Sequence, residues 1–304
     1  MEASISFKSV SKKINQKTIF ADLSFGIEKN TKFAIVGPNL SGKSSIIKLA
    51  SGILFKDRGE IYVKGLEVKN RTLNVKAIIG YMPQNIDYDM NLNFLHNITV
   101  YGQLYGMTSK TSKNKAKDIL KIFNLHKYSA KMPIDIPKSV LRIGMFIRSI
   151  LHSPDILLLD EPTANLDPIL RNKFWDYING YCKNNTILFT TQNLVESEKY
   201  ADRIAILYEG EIKFLGSYQY LIENSKELNK FSIVCKNKID EEIIKKLTLN
   251  PKIIKLKIID KRLRFYSTDK NEFYNLLKDL IKLEISDIDS SKCSLEDILL
   301  GMIK

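Results

Sequence analysis

Residues 32–44 read KFAIVGPNLSGKS, and the chain runs on as SIIKLASGIL to Leu54. KFAIV is a short apolar run of the kind a buried strand shows, and the stretch after Ser44 has a helical pattern. Between them Gly37, Pro38, Asn39, Leu40, Ser41, Gly42, Lys43 and Ser44 fit G-x-x-x-x-G-K-S. In such a loop the backbone N–H groups point inward and cradle phosphate oxygens. Gly42 lets the backbone come close, Lys43 reaches the terminal phosphates, and the Ser44 hydroxyl ligates Mg2+. Ser45 completes the set expected at the phosphates, where the following helix aims its N-terminal dipole. A chance match in a Gly/Ser loop is the bland alternative, and the strand before and helix after set it aside.

Further along, Leu157–Pro162 reads LLLDEP. An apolar strand ending in two acids places Asp160 beside a metal and Glu161 where it can polarise an attacking water. Two acids at a strand end can merely start a turn, but the phosphate loop in the same chain favours the chemical reading. Ile5–Val10, Ala77–Tyr81, Asp155–Asp160, Thr186–Thr190 and Arg203–Tyr208 also read as strands. Residues 90–152 read as mostly helical, broken near Pro133 and Pro137. Strands alternating with helices argue for a mainly parallel sheet covered on both faces.

The chain has 304 residues, 44% of them hydrophobic, room for one large domain or for one of ordinary size and a small one. It carries a formal charge of +13, mostly as lysines dispersed along its length. Dispersed charge reads first as a solvated surface, and no nucleic-acid-binding module is visible, so no nucleic acid partner is expected. No run of 18 apolar residues and no signal-like N-terminus is present, which predicts a cytoplasmic protein. Cys182, Cys235 and Cys293 are scattered, without metal-ligand spacing. The composition shifts after residue 222. The reading is a large domain over 1–222, with a helical subdomain at about 88–152, then a linker over 223–228 and a small α+β domain over 229–304. There the order strand, helix, strand, strand, helix, strand is the split-βαβ arrangement. A short closing helix, SLEDILLGMIK, has Ser294 as N-cap and Asp297 in the role of a capping-box acid.

In order, GPNLSGKS, YMPQ, LLLDEPTANLDP and TTQNLVESEKYADRIAILYEGEI resemble the P-loop nucleotide-binding domain of ABC transporters over about residues 2–220. LNFLHNITVYGQLYGM and the small C-terminal domain resemble the branch that exports drugs, antibiotics and peptides. The resemblance implies ATP and Mg2+ as cofactors and assigns roles residue by residue. Ser44, Gln84 and Asp160 serve the metal, Glu161 is the base, and Gln84 senses the membrane partner. Asn165 and Asp167 belong to the loop that crosses to a second subunit. The implied partners are a polytopic permease and a second ABC ATPase, the same chain or another. The implied place is the inner face of the cell membrane.

Four positions depart from the family pattern. Leu40 stands where glycine is usual. Ile14 falls where an aromatic residue stacks on adenine, so stacking gives way to apolar contact. The LSGGQ-like signature falls at Ile136–Val140, IPKSV, without its glycines. There Pro137, Lys138 and Ser139 open a helix that still faces phosphate, with Ser139 a substitute hydroxyl. The switch-loop histidine is replaced by Gln192, which can hydrogen-bond a phosphate but cannot carry charge or relay a proton. These departures imply slow turnover. Two other readings compete: a non-catalytic, ATP-gated regulatory subunit, and a soluble ABC ATPase acting on nucleic acid.

Overall fold

The structure, a computed structural model, describes residues 3–69, 73–224, 229–237, 239, 241–250, 253–267 and 284–292. It divides into two compact units, 1–216 and 217–304. The division falls after Gly216, where the sequence reading set it at residue 222.

The first unit opens with β1 (Ile5–Ile14), β2 (Lys17–Ile27), β3 (Lys32–Val36) and α1 (Lys43–Ala50). Next come β4 (Arg58–Val63), β5 (Leu66–Glu67), α2 (Leu73–Ala77) and β6 (Ile79–Met82). A helical stretch follows, with α3 (Phe94–Leu104), α4 (Ser109–Ile122) and α5 (Lys138–Ile150). The unit closes with β7 (Ile156–Asp160), α6 (Pro168–Tyr181), β8 (Thr186–Thr191), α7 (Leu194–Tyr200), β9 (Arg203–Tyr208) and β10 (Glu211–Gly216).

Two sheets form. The larger runs β10-β9-β3-β8-β7-β6 and is parallel except for the edge strand β10. β3, β7 and β8 are buried almost throughout, so they read as continuous apolar runs rather than alternations. The smaller sheet, β2-β1-β4-β5, is antiparallel. β1 therefore belongs to this separate antiparallel sheet, beside the mainly parallel one that the sequence reading expected. One core joins the two, with Phe7, Phe20, Phe33, Ile47, Leu158 and Leu207 in the same apolar cluster. The expected strand Ala77–Tyr81 is shifted: Ala77 ends α2, and β6 begins at Ile79.

Helix starts follow their local chemistry. Asn93 caps α3 through His96 N, and Thr108 caps α4 through Thr111 N. α5 starts at Lys138 with Pro137 as its N-cap and is buried from Val140 to Ile150, including Arg142 and Arg148.

The second unit contains α8 (Tyr218–Asn224), β11 (Asn229–Cys235), α9 (Glu241–Leu249), β12 (Ile253–Ile259), β13 (Arg262–Ser267) and β14 (Ile285–Lys292). Its sheet runs β12-β13-β11-β14, antiparallel throughout. That order is the split-βαβ topology. One face carries the core: Phe231, Ile233, Leu263 and Phe265, with Leu247 of α9. The helix expected over 271–283, the closing helix with Ser294 and Asp297, Cys293, and most of the linker lie outside the described residues.

Candidate nucleotide site

β3 ends at Val36 and delivers the chain into a tight loop. Gly42 has φ of 105°, and a Cβ there would lie 2.8 Å from the Phe20 ring. A Cβ on Gly37 would lie 2.1 Å from the Leu207 carbonyl oxygen. Both glycines are thus required by close approach. Leu40 sits in the left-handed region, φ 64°, and is 96% exposed. Its side chain leaves the loop instead of crowding it, and the strained backbone is the form the family's glycine would adopt freely.

Lys43 is buried and folds back on the loop, its Nζ donating to the carbonyls of Gly37 (2.9 Å) and Pro38 (2.8 Å). Burial lowers its pKa, and the nearby Glu161 and Asp160 raise it. Ser44 Oγ donates to Asp160 Oδ1 (3.0 Å), as does Thr190 Oγ1 (2.6 Å). Strands β7 and β8 run side by side with Asp160 opposite Thr190, and α1 brings Ser44 to the same point. Three buried polar atoms here have no hydrogen-bond partner: Ser41 Oγ, Asp160 Oδ2 and Glu161 Oε1. Buried polar atoms are normally satisfied, so these three are left for a partner that the chain itself does not supply. A hydroxyl and a carboxylate held together are hard oxygen donors, the set Mg2+ takes alongside phosphate.

Glu161 has φ of 50°, and its N–H donates to Thr190 Oγ1 (2.9 Å). Burial raises its carboxyl pKa, while hydrogen bonds from the side chain and backbone of Gln192 pull it down. Gln192, expected at the γ-phosphate, is therefore brought against Glu161.

Arg142, which sequence reading passed over, organises this region. It is 1% exposed, and all its donors point at backbone carbonyls. Nε donates to Pro162 O (3.2 Å), Nη1 to Pro83 O (3.0 Å) and Gln84 O, and Nη2 to Asp160 O (2.7 Å) and Glu161 O. One side chain thus pins the turn that presents Gln84 to the end of β7. Burial pushes its pKa down to about 10. Arg148, one α5 turn and a half further on, lies over the rings of Tyr88 (3.8 Å) and Tyr101 (4.7 Å) and holds Asn97 Oδ1 (3.0 Å). Glu196 is a second unforeseen residue. Its carboxylate accepts from Thr163 Oγ1, Trp175 Nε1 (2.8 Å) and Thr191 Oγ1 (2.8 Å), tying the chain after Glu161 to the chain before Gln192. For Arg142 the signal was a charge inside the otherwise apolar run VLRIGMFI; Glu196, in the polar helix LVESEKY, gave none.

The remaining expected residues stand apart. Gln84 is exposed; its backbone carbonyl is held, as above. Ile14 ends β1 at the hairpin with β2, 38% exposed. Among the described residues no hydrogen bond joins Pro137, Lys138 or Ser139 to the phosphate loop. Asp167 caps α6, accepting from Ile169 N (3.0 Å) and Leu170 N (2.9 Å), with Asn165 exposed before it at φ 64°.

The class is that of an ATP-binding cassette. The ABC transporter family profile matches residues 20–164. The linearmycin resistance ATP-binding protein LnrL of Bacillus subtilis is 31% identical over 215 residues, 69% of this chain and 68% of that protein. The Nod factor export ATP-binding protein I of Burkholderia lata is 29% identical over 73% of each chain. The probable multidrug ABC transporter ATP-binding protein YbhF of Escherichia coli is 28% identical over 69% of this chain, but the match spans only 36% of YbhF. A solved ATP-binding subunit of an ABC transporter superposes with TM-score 0.66 at 23% identity, over 72% of this chain and 92% of that one. An ATP-binding cassette solved as a dimer with ADP and Pi superposes with TM-score 0.64 at 20% identity, over 70% and 98%. This chain belongs to the ABC transporter family and carries its ATP-binding domain.

Proposed function

We propose that the chain binds and slowly hydrolyses ATP to power a membrane exporter, two nucleotide domains closing head to tail around the nucleotides. The observation that carries this is the set of partnerless atoms on Ser41, Asp160 and Glu161 beside Lys43 and Ser44. The loop amides and Lys43 hold the phosphates. Lys43 exchanges its two loop carbonyls for phosphate oxygens, a change that costs little geometry because Nζ already faces the loop interior. Ser44, Asp160 and Gln84 would hold Mg2+, which neutralises phosphate charge when bound. Glu161 accepts the proton of the attacking water, its carboxylate oriented by Gln192 and its backbone by Thr190. Closure of the two domains moves the permease between inward and outward states, and hydrolysis resets it. The export direction is supported by relatives named for linearmycin resistance, Nod factor export and multidrug transport. The chain would sit at the membrane's inner face through its permease. No helix among the described residues is long and apolar enough to cross a membrane.

A second reading, pairing with a different and intact ATPase, is favoured by IPKSV and by Gln192 together. In that arrangement each of the two sites carries one defect. As a pair of identical chains, both sites carry both. The test is affinity purification from gently solubilised native membranes with mass spectrometry, alongside ATPase assays of Glu161→Gln. A polytopic membrane protein and loss of turnover and transport in the variant are expected. Undiminished transport in Glu161→Gln would mean a non-catalytic gate. Absence of any membrane protein, with salt-sensitive RNA or DNA binding, would overturn the reading.

A further inference from the structure

The sheet of the second unit has a face that its core does not use. Residues directly opposite in register share a face, so the pairing defines its rows. Lys257 stands opposite Arg264, Arg264 opposite Ser232, and Ser232 opposite Asp289. The next row is Ile259, Arg262, Val234 and Asp287. Lys257, Arg262, Arg264, Asp287 and Asp289 are all exposed, and none of their side chains has a hydrogen bond or ion pair with another described residue. Ile259 is 62% exposed beside them. In these two rows the face is split by charge, with cations on β12 and β13 and acids on β14, two strands from β13; Lys230 of β11 stands on the same face one row further along.

Lys257 directly opposite Arg264 is an unfavourable pair left alone, since like charges across a strand pair repel. An acid placed between them would relieve it. The same face offers one only at its far edge, beyond the reach of its own cations. A two-fold axis parallel to the strands, between β13 and β11, solves this. It turns a second copy over so that its β14 covers β12. Lys257 and Arg264 then flank the second copy's Asp289, and Arg262 meets its Asp287. Each contact is made twice, as an isologous interface requires. We propose that this face pairs with the same face of a second copy of this chain, through Lys257 and Arg264 against Asp289 and Arg262 against Asp287. A polyanion such as nucleic acid or an anionic lipid surface would use only the basic half and would be repelled by Asp287 and Asp289. The area is small. Four strands about 4.8 Å apart and two rows about 7 Å apart cover roughly 270 Å2 per copy, below the usual 800 Å2, so the pairing is weak. Its charges lie near solvent, so it is also salt-sensitive. It goes beyond nucleotide-driven closure of the first units and rests on the dimer reading only in naming the other half as the same chain.

The test uses the full chain without nucleotide and in EDTA, by sedimentation velocity up to about 100 μM, at ionic strengths of about 0.05 M and 0.5 M. A dimer at low salt that dissociates at high salt is expected. Lys257→Asp and Asp289→Lys should each weaken dimerisation by roughly tenfold or more, and the double swap should restore it to within about threefold. Circular dichroism and ATP binding, unchanged in all variants, show that they fold. A monomeric wild-type chain, or a double swap no better than the singles, overturns the proposal. So does a monomer that binds vesicles rich in phosphatidylglycerol through Lys257. ATP-dependent dimerisation of Glu161→Gln is measured in parallel. Its absence would count against the proposed function and leave the sheet-face pairing standing.

Discussion

Arg142→Met tests the account of how the site is held together. The wild-type guanidinium is buried and satisfies five backbone carbonyls, with no carboxylate in direct contact. Three of those acceptors, at Asp160, Glu161 and Pro162, are buried; the two at Pro83 and Gln84 are partly buried and can recover water. A buried acceptor left unsatisfied costs about 1–3 kcal/mol, so the three together cost roughly 5 kcal/mol. Methionine fills similar space and avoids the desolvation that lowers the arginine's pKa, which returns about a third of that. The net expectation is a loss of about 3–4 kcal/mol. For a unit of this size that lowers Tm by about 10 °C, read by circular dichroism melting.

Arg142→Lys keeps a charge with three donors in place of five and should lose about half as much. The catalytic readout is independent of stability. Releasing the Gln84 carbonyl from those of Asp160 and Glu161 loosens the site by an ångström or so, which costs roughly 10²-fold in kcat. A methionine variant within about 1 kcal/mol of wild type, with kcat unchanged, would refute the reasoning.

Gln192→His should raise ATPase turnover by about tenfold or more, because imidazole adds a contact that can carry charge near the reacting phosphate; unchanged steady-state turnover would place the limit elsewhere. Cys182, buried with its pKa pushed up to about 12 from 9.0, should alkylate about 10³-fold more slowly than a free thiol at pH 8 in a Cys293→Ser background. Its rate should rise toward the ordinary value only as the pH approaches 12 or the chain unfolds, which mass spectrometry of iodoacetamide adducts reads directly. Leu40→Gly should raise stability by up to about 1 kcal/mol, since it removes a left-handed backbone cost and no packing; a lower Tm would show that the exposed side chain packs after all.

The central sheet was legible because β3 and β9 are uninterrupted apolar runs matching their strands end to end. The four strands and first helix of the split-βαβ arrangement were legible from their spacing. The antiparallel sheet was not, and β2 shows why. Its buried residues are Phe20, Leu23, Phe25 and Ile27, so the alternation slips between Phe20 and Leu23. The slip matches the register shifts between β1 and β2, where Val10 faces Leu23 and Lys12 faces Phe20. A bulge of that kind erases a period-two signal from the sequence while leaving the sheet intact. At the site, motif spacing was enough to pick out Lys43, Ser44 and Asp160, which the fold brings together. Arg142 and Glu196 were not legible, because each acts through carbonyls or hydroxyls distant in sequence, which no spacing reveals.

The pattern of what is kept and what is altered bears on mechanism. The bracing contacts internal to the chain are in place: Ser44 and Thr190 on Asp160, Arg142 on five carbonyls, Glu196 on Thr163, Trp175 and Thr191. The altered positions, Leu40, the IPKSV turn and Gln192, sit on exposed loop or helix-start backbone or at the mouth of the site. A chain that had merely lost its chemistry would show damage on both sides of that divide, since the buried bracing of Glu161 has no purpose without the base. The bracing is intact. Gln192 moreover hydrogen-bonds Glu161 itself, so under the proposed function that position carries an orienting group that does not titrate. That combination favours a slow but working ATPase whose rate is set by contacts across the interface, and it is why Glu161→Gln and Gln192→His should move turnover in opposite directions.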